Sequence, residues 1–191
     1  MGLRAGAGNL KHNIMQHPSL FFCKANAEFP NSPLPVILYR QALHLPLFFK
    51  AGYVRKVFVK HHWANSWDGG VFTYDHYHST TDEVLGFYKG STTLLLGGEN
   101  CHRVQVEKGD ILVIPAGVAH KNLGKEYQVK CIGAYPDGRE YDIMTGRPGE
   151  RPVSEQHIAA LPVPDEDPFY GPKLGLPSLW SLARFNRVWS I

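Results

Sequence analysis

The sequence has no apolar run longer than a handful of residues, whereas a membrane-spanning helix needs roughly 20. A membrane is therefore not expected as a partner. Cysteine is scarce: Cys23, Cys101 and Cys131 are odd in number and form no C-x-x-C pair. That argues against a disulfide framework and fits a reducing compartment. The opening "MGLRAGAGNLKHN" lacks the apolar stretch of a secretory signal, and Gly6 stands where a myristoylation signal wants Ser or Thr. The expected location is cytoplasmic. Acidic residues are nearly missing from positions 1–50, where Glu28 stands alone, yet the net charge of +3 gathers into no Lys/Arg cluster. Nucleic acid is not an expected partner either. There is no repeat of fixed period and no low-complexity tract.

What is present points to one packed domain with extensions: 191 residues, of which 43% are hydrophobic and 12% aromatic. Residues 1–45 are expected to form an N-terminal extension. Its "PLPVILYR" reads as an edge strand, because the prolines before it remove donors. Between Gly52 and Trp63, the apolar residues Val54, Val57 and Phe58 fall at helical spacing. "WANSWDGG" reads as the turn that closes this helix, with Trp63 and Trp67 stapling it down. From Val71 to Tyr135 short strand-like segments follow one another between Gly, Asn and Asp turns. This predicts an antiparallel sandwich or barrel occupying the core at 46–135. Residues 136–191 hold eight of the fourteen prolines and read as an irregular arm laid over that core.

The stretch "YDHYHSTTDEV" concentrates the coordinating chemistry. Along a strand Phe72, Tyr74, His76 and His78 would share one face, with Asp75 and Tyr77 turned outward. A turn at "STTD" would bring Glu83 beside the two imidazoles. Downstream, "KGDILVIPAGVAHKN" places His120 on a returning strand, with Asn122 on its face. Three histidines and one carboxylate suit a divalent transition metal: Fe, Mn, Ni or Zn. Phe72 and Tyr74 are candidate pocket residues, although core packing is the leading expectation for Phe72 and a buried, satisfied hydroxyl the alternative for Tyr74; Asn122 is a candidate either for orienting a ligand or for closing a turn. His61, His62 and His102 read as surface or core histidines, and Cys101 and Cys131 as buried strand residues.

The spacings Gly70-x5-His76-x-His78-x4-Glu83-x6-Gly90 and Gly109-x5-Pro115-x-Gly117-x2-His120 resemble the two cupin motifs. The asparagine usual after the last histidine comes early, as Asn122. "PLPVILYR", "WANSWDGGVFTYDHYHST", "EVLGFYKGSTTLLLGGEN" and "DPFYG" further resemble the bacterial YjlB-like single-domain cupins, over about Phe29 to Gly175. Those proteins commonly carry Ala-His before the glutamate, where this chain has Thr81 and Asp82. The resemblance implies an all-β fold, a cupin jelly-roll β-barrel or double-stranded β-helix, with a short N-terminal helix and an irregular C-terminal arm. It also implies one divalent ion per chain, held by His76, His78, Glu83 and His120. The leading expectation is an enzyme of dioxygenase or isomerase type acting on a small chelating molecule. Glu83, the most labile donor, is the candidate catalytic base. The alternative is a non-catalytic metal- or ligand-binding cupin whose ion is structural. An exposed edge strand at "PVILYR" leads to the expectation of a homodimer.

Overall fold

A computed structural model describes residues 17–99 and 101–188. The elements in chain order are β1 (Ser19–Phe21), β2 (Val36–Tyr39), α1 (Lys50–Val59), β3 (Trp63–Gly69), β4 (Glu83–Leu96) and β5 (His102–Glu107). They continue with β6 (Ile111–Ile114), β7 (His120–Asn122), β8 (Val129–Pro136), α2 (Arg151–Ala160) and α3 (Leu176–Val188). The main sheet is antiparallel, in the order β1-β2-β6-β4-β8-β3. The distal half of β4 leaves it to pair with β5 and β7 in a second sheet. That sheet extends through single bridges from His120 to His76 and from Tyr77 to Met144.

The architecture is the expected antiparallel jelly roll, opened rather than closed: β1 and β3 end the main sheet without meeting. "EVLGFYK" and "STTLLLG" are one 14-residue strand, not two. It bends between the sheets at Gly90, whose φ of 74° is costly for any residue with a Cβ. A side chain there would also strike the carbonyl of Gln128.

Alternation along the main-sheet strands feeds two cores. Val36, Leu38, Leu85, Phe87, Leu112 and Ile114 face the second sheet and meet Leu94, Leu96, Val104 and Val106. Their neighbours Ile37, Tyr39, Val84, Ile111 and Val113 face the other way and are covered by α1 and α3 through Val54, Phe58, Leu176 and Trp180. A strand covered on both faces reads as a continuous apolar run, as "VILY" and "ILVI" do.

Several expectations need correction. β2 is not an edge: β1 pairs with it on one side and β6 on the other. Among the described residues the main sheet ends at β1 and β3, and β5, paired only with β4, is an edge of the second sheet, so β2 does not supply the exposed donors behind the homodimer expectation. "WANSWDG" is the strand β3, and its turn-forming residues make an irregularity between Ala64 and Trp67, where Asn65 has a φ of 52°. The arm after Pro136 is partly helical. Pro152 sits in the first turn of α2, where a missing N–H removes no helical bond. Tyr77 does not look outward: it is fully buried against Phe29, Ala119 and Met144, and its hydroxyl lies 3.0 Å from Ser154 Oγ in α2. The arm covers the face that alternation alone assigned to solvent. Among the described residues no helix is long and apolar enough to cross a membrane.

Candidate metal centre

The expected strand over Phe72 to His78 is not formed: the chain bends at Thr73 and Tyr74, and only His76 and Tyr77 make β-bridges. His76 exchanges backbone hydrogen bonds with His120, at 3.3 and 2.9 Å, which brings their imidazole centroids to 4.1 Å. β7 is in turn held against Leu94–Leu96 of β4. Glu83 begins β4 in the main sheet, opposite Ile114. The site thus lies where the two sheets converge. His76, His78 and His120 are all buried, and each offers a ring nitrogen within 4.8 Å of the others.

The orientation of these rings is set by three bonds of one kind. Nδ1 of His76 donates to the Tyr74 carbonyl at 3.3 Å and Nδ1 of His120 to the Val118 carbonyl at 3.1 Å; Nδ1 of His78 donates to the Asp142 carbonyl. A carbonyl can only accept, so each Nδ1 carries the proton and each Nε2 is left with its lone pair. This is how a protein holds imidazoles ready to coordinate. Glu83 completes the group. Its Oε1 accepts from the Tyr135 hydroxyl at 3.0 Å and from Trp67 Nε1 at 3.3 Å. Its Oε2 lies 3.4 Å from Nε2 of both His78 and His120, is buried and completes no hydrogen bond.

The electrostatics agree with this geometry. Burial lowers His76 to about 3, reinforced by the neighbouring His120, so it is neutral at ordinary pH. Burial would raise Glu83, but the His78 and His120 imidazoles prevail and hold its carboxyl well below the usual range. Burial opposes charge on His78 as well; Glu83 outweighs it, and the His78 pKa moves up. Glu83 and its imidazole neighbours therefore favour a positive charge between them. Three lone pairs and an orphaned carboxylate oxygen fit a divalent cation.

A cavity of about 280 Å³ lies over the group. Trp67, Leu85, Tyr135 and Tyr141 form its wall, and Phe72 and Ile143 stand at the mouth, 37% and 45% exposed. Phe72 is thus not a core residue. It stacks on Tyr74 at 4.9 Å, and both rings approach His76. Tyr74, expected in the pocket, is 48% exposed and does not line this cavity; it borders a neighbouring depression with Asp75 and Phe29. Asn122 closes a turn: it accepts from Thr92 Oγ1 at 2.5 Å and the Gly124 N–H at 2.8 Å, and donates to Lys125. Asp82 accepts the Ala116 N–H at 2.8 Å and secures the turn before His120.

Sequence reasoning missed Trp67, Tyr135 and Tyr141 as wall residues. Tyr135 had a signal, since Cys131, Gly133 and Tyr135 alternate onto one face of β8. Trp67 lies flat on Gly133, its partner across β3 and β8. A methyl group at Gly133 would collide with the indole. Gly133→Ala is expected to lower stability by about 1–3 kcal/mol. Chemical denaturation with an unchanged midpoint would show that Trp67 can move aside freely. Tyr141 stacks on Tyr135 at 4.6 Å from within the arm, where no pattern marks it. The histidines read as ordinary residues divide: His61 and His62 lie 3.1 and 3.5 Å from Glu166, while His102 falls within 4.8 Å of Cys23 and Cys101 through its ligand atoms. Cys131 is buried in β8, but Cys101 is half-buried and precedes β5.

The protein YjlB of Bacillus subtilis (strain 168), described as uncharacterized, is 37% identical over 161 residues, covering 84% of this chain and 94% of its own. The chain belongs to the YjlB family. No family model matches the sequence. Solved structures similar to this YjlB-family chain are distant. Acireductone dioxygenase from Bacillus anthracis, with a cadmium ion in its active centre, shares 19% identity at a TM-score of 0.35, over 48% of this chain and 62% of its own. A DUF861 protein from Thermotoga maritima shares 20% at 0.32, over 52% and 96%. Oxalate decarboxylase from Bacillus subtilis, studied for its Mn(II) centres, shares 19% at 0.35, over 68% and 30%.

Proposed function

We propose that this chain is a metal-dependent enzyme in which His76, His78, Glu83 and His120 hold one divalent transition metal and the cavity above them receives a small chelating molecule. The observation that carries the reading is the set of three Nδ1–H bonds to carbonyls, which leaves every Nε2 lone pair free beside an orphaned Glu83 oxygen. A bound ion would supply Lewis-acid polarisation or, as iron, oxygen activation. The chain's own residues do the rest. Trp67 and Tyr135 fix one oxygen of Glu83, which favours its place as a ligand over release as a base. Asp142 holds His78 through its carbonyl while its carboxylate takes the Ser79 N–H at 2.6 Å and hydroxyl at 2.5 Å, fastening the arm to the first motif.

A structural ion needs no cavity over it, so the open mouth between Phe72 and Ile143 favours turnover over a purely stabilising role. The partner we propose is accordingly a small molecule, with any homodimer pairing through the free sheet edges. Elemental analysis of protein purified without added metal or chelator is expected to find about one equivalent of Fe, Mn, Ni or Zn per chain, because this donor set accepts all four. Trace amounts only would reject the reading.

A further inference from the structure

The charge of the cavity restricts what can enter it. This inference rests on the metal reading above. A divalent ion beside the Glu83 carboxylate leaves the centre with one net positive charge. Among the described residues no lysine or arginine lines the cavity; the other ionisable groups that do, apart from the tyrosine hydroxyls, are Asp68 and Glu126, both acidic. Lys121, the cation on β7 beside His120, lies 2.5 Å from Asp75 and is not among the lining residues. On the wall, the donors of Trp67 and Tyr135 are also committed, which leaves the Tyr141 hydroxyl as the wall donor able to meet a ligand oxygen. Trp67 Nε1 donates to the Tyr135 hydroxyl at 2.9 Å and to Glu83 at 3.3 Å, and the Tyr135 hydroxyl donates to Glu83. A dianion would therefore reach the centre with one charge left over, no cation to meet it and no free donor on Trp67 or Tyr135. Leaving a charge unpaired in such a site is costly.

The rest of the surface is aromatic and apolar. Tyr135 and Tyr141 stack nearly parallel at 22° on one wall, and Phe72 stands at the mouth with its ring edge-on to His76. Ile143 extends this rim outward. A cavity of about 280 Å³ lies near the small end for ligand sites, so it takes a body on the scale of one ring. We infer that the site selects a ring-bearing oxygen chelator of single negative charge, of the hydroxyketone or enolised-diketone class, and discriminates against small dicarboxylates. Two oxygens of such a molecule balance the charge of the centre, and its ring packs between Phe72 and Tyr141.

The test uses full-length protein whose content of its native ion has first been measured. Tropolone, a single-ring monoanionic chelator, is titrated by its near-ultraviolet absorbance, and oxalate is titrated by calorimetry. Each affinity is divided by that of the same ligand for the free ion in the same buffer. The corrected preference for tropolone is expected to be at least about tenfold, equivalent to about 1.4 kcal/mol. Phe72→Ala and Tyr141→Ala should each weaken tropolone by roughly 3- to 10-fold, the range of an aromatic contact, and leave metal content and oxalate affinity unchanged. A metal-loaded protein with no corrected preference, or variants without effect on tropolone, would overturn the inference and leave the metal reading standing. A protein that holds no metal would overturn both.

Discussion

His76→Ala is expected to yield folded protein that purifies without stoichiometric metal. His76 is tied by backbone bonds to His120 and lends its Nε2 to the group; its removal takes one of three imidazoles and opens the buried centre. A cation bound only by the folded chain adds stability by mass action, about 4 kcal/mol when free metal exceeds its dissociation constant roughly a thousandfold. For a chain of this length that is a Tm difference of roughly 8–16 °C. Chelator treatment should lower the Tm of the wild type by such an amount and leave the Tm of the variant where it was. Because the substitution concerns a side chain and the bridge to His120 is made by backbone, far-ultraviolet circular dichroism should be unchanged. Full metal content in His76→Ala protein would refute the assignment.

The second large effect concerns a residue far from the centre. Asp167 is fully buried and accepts four hydrogen bonds: the Tyr39 hydroxyl at 2.5 Å and the Leu176 N–H at 2.9 Å on Oδ2, and the N–H groups of Phe169 and Tyr170, both at 2.8 Å, on Oδ1. Burial, followed by the Asp167 charge, pushes the Tyr39 hydroxyl up, so it remains a donor throughout the ordinary pH range. Asp167→Ala strands all four donors beside the apolar cluster under α3. Removing one partner from a buried charged arrangement costs about 3–5 kcal/mol, so the Tm is expected to fall by roughly 6–20 °C. Metal content should persist, since the site's hydrogen bonds do not pass through Asp167. A Tm within a degree of the wild type would mean that water enters and satisfies the donors.

These two residues illustrate unequal legibility. His76 stands out because its partners are near in sequence: His78 and Glu83 lie within seven positions, and the motif around His120 repeats the pattern of turn, strand and ligand. Asp167, in the acidic run "DED", has the look of a solvated surface residue. What buries it is Tyr39, 128 positions away, and no periodicity connects them. Trp67 falls between these cases. Its spacing from Trp63 suggested a helix staple, and Trp63 does pack in the cluster that includes α1; Trp67 instead belongs to the site because β3 pairs with β8. The turn reading of "WANSWDGG" failed for the same reason, since pairing with β8 keeps the segment extended despite its turn-forming residues.

By itself the sequence determined the antiparallel β class, a helix placed between Gly52 and Trp63 that the structure shows at Lys50–Val59, and the residues able to coordinate. Each depends on local periods of 2 or 3.6 and on glycines and prolines at turns, which act within a few residues. Only the tertiary structure decided which face of each strand meets which core, that β2 is enclosed, that the arm folds into helices with α2 over Tyr77, and which aromatic rings wall the cavity. Those outcomes depend on contacts between segments distant along the chain, where packing and the pairing of buried polar groups override local preference.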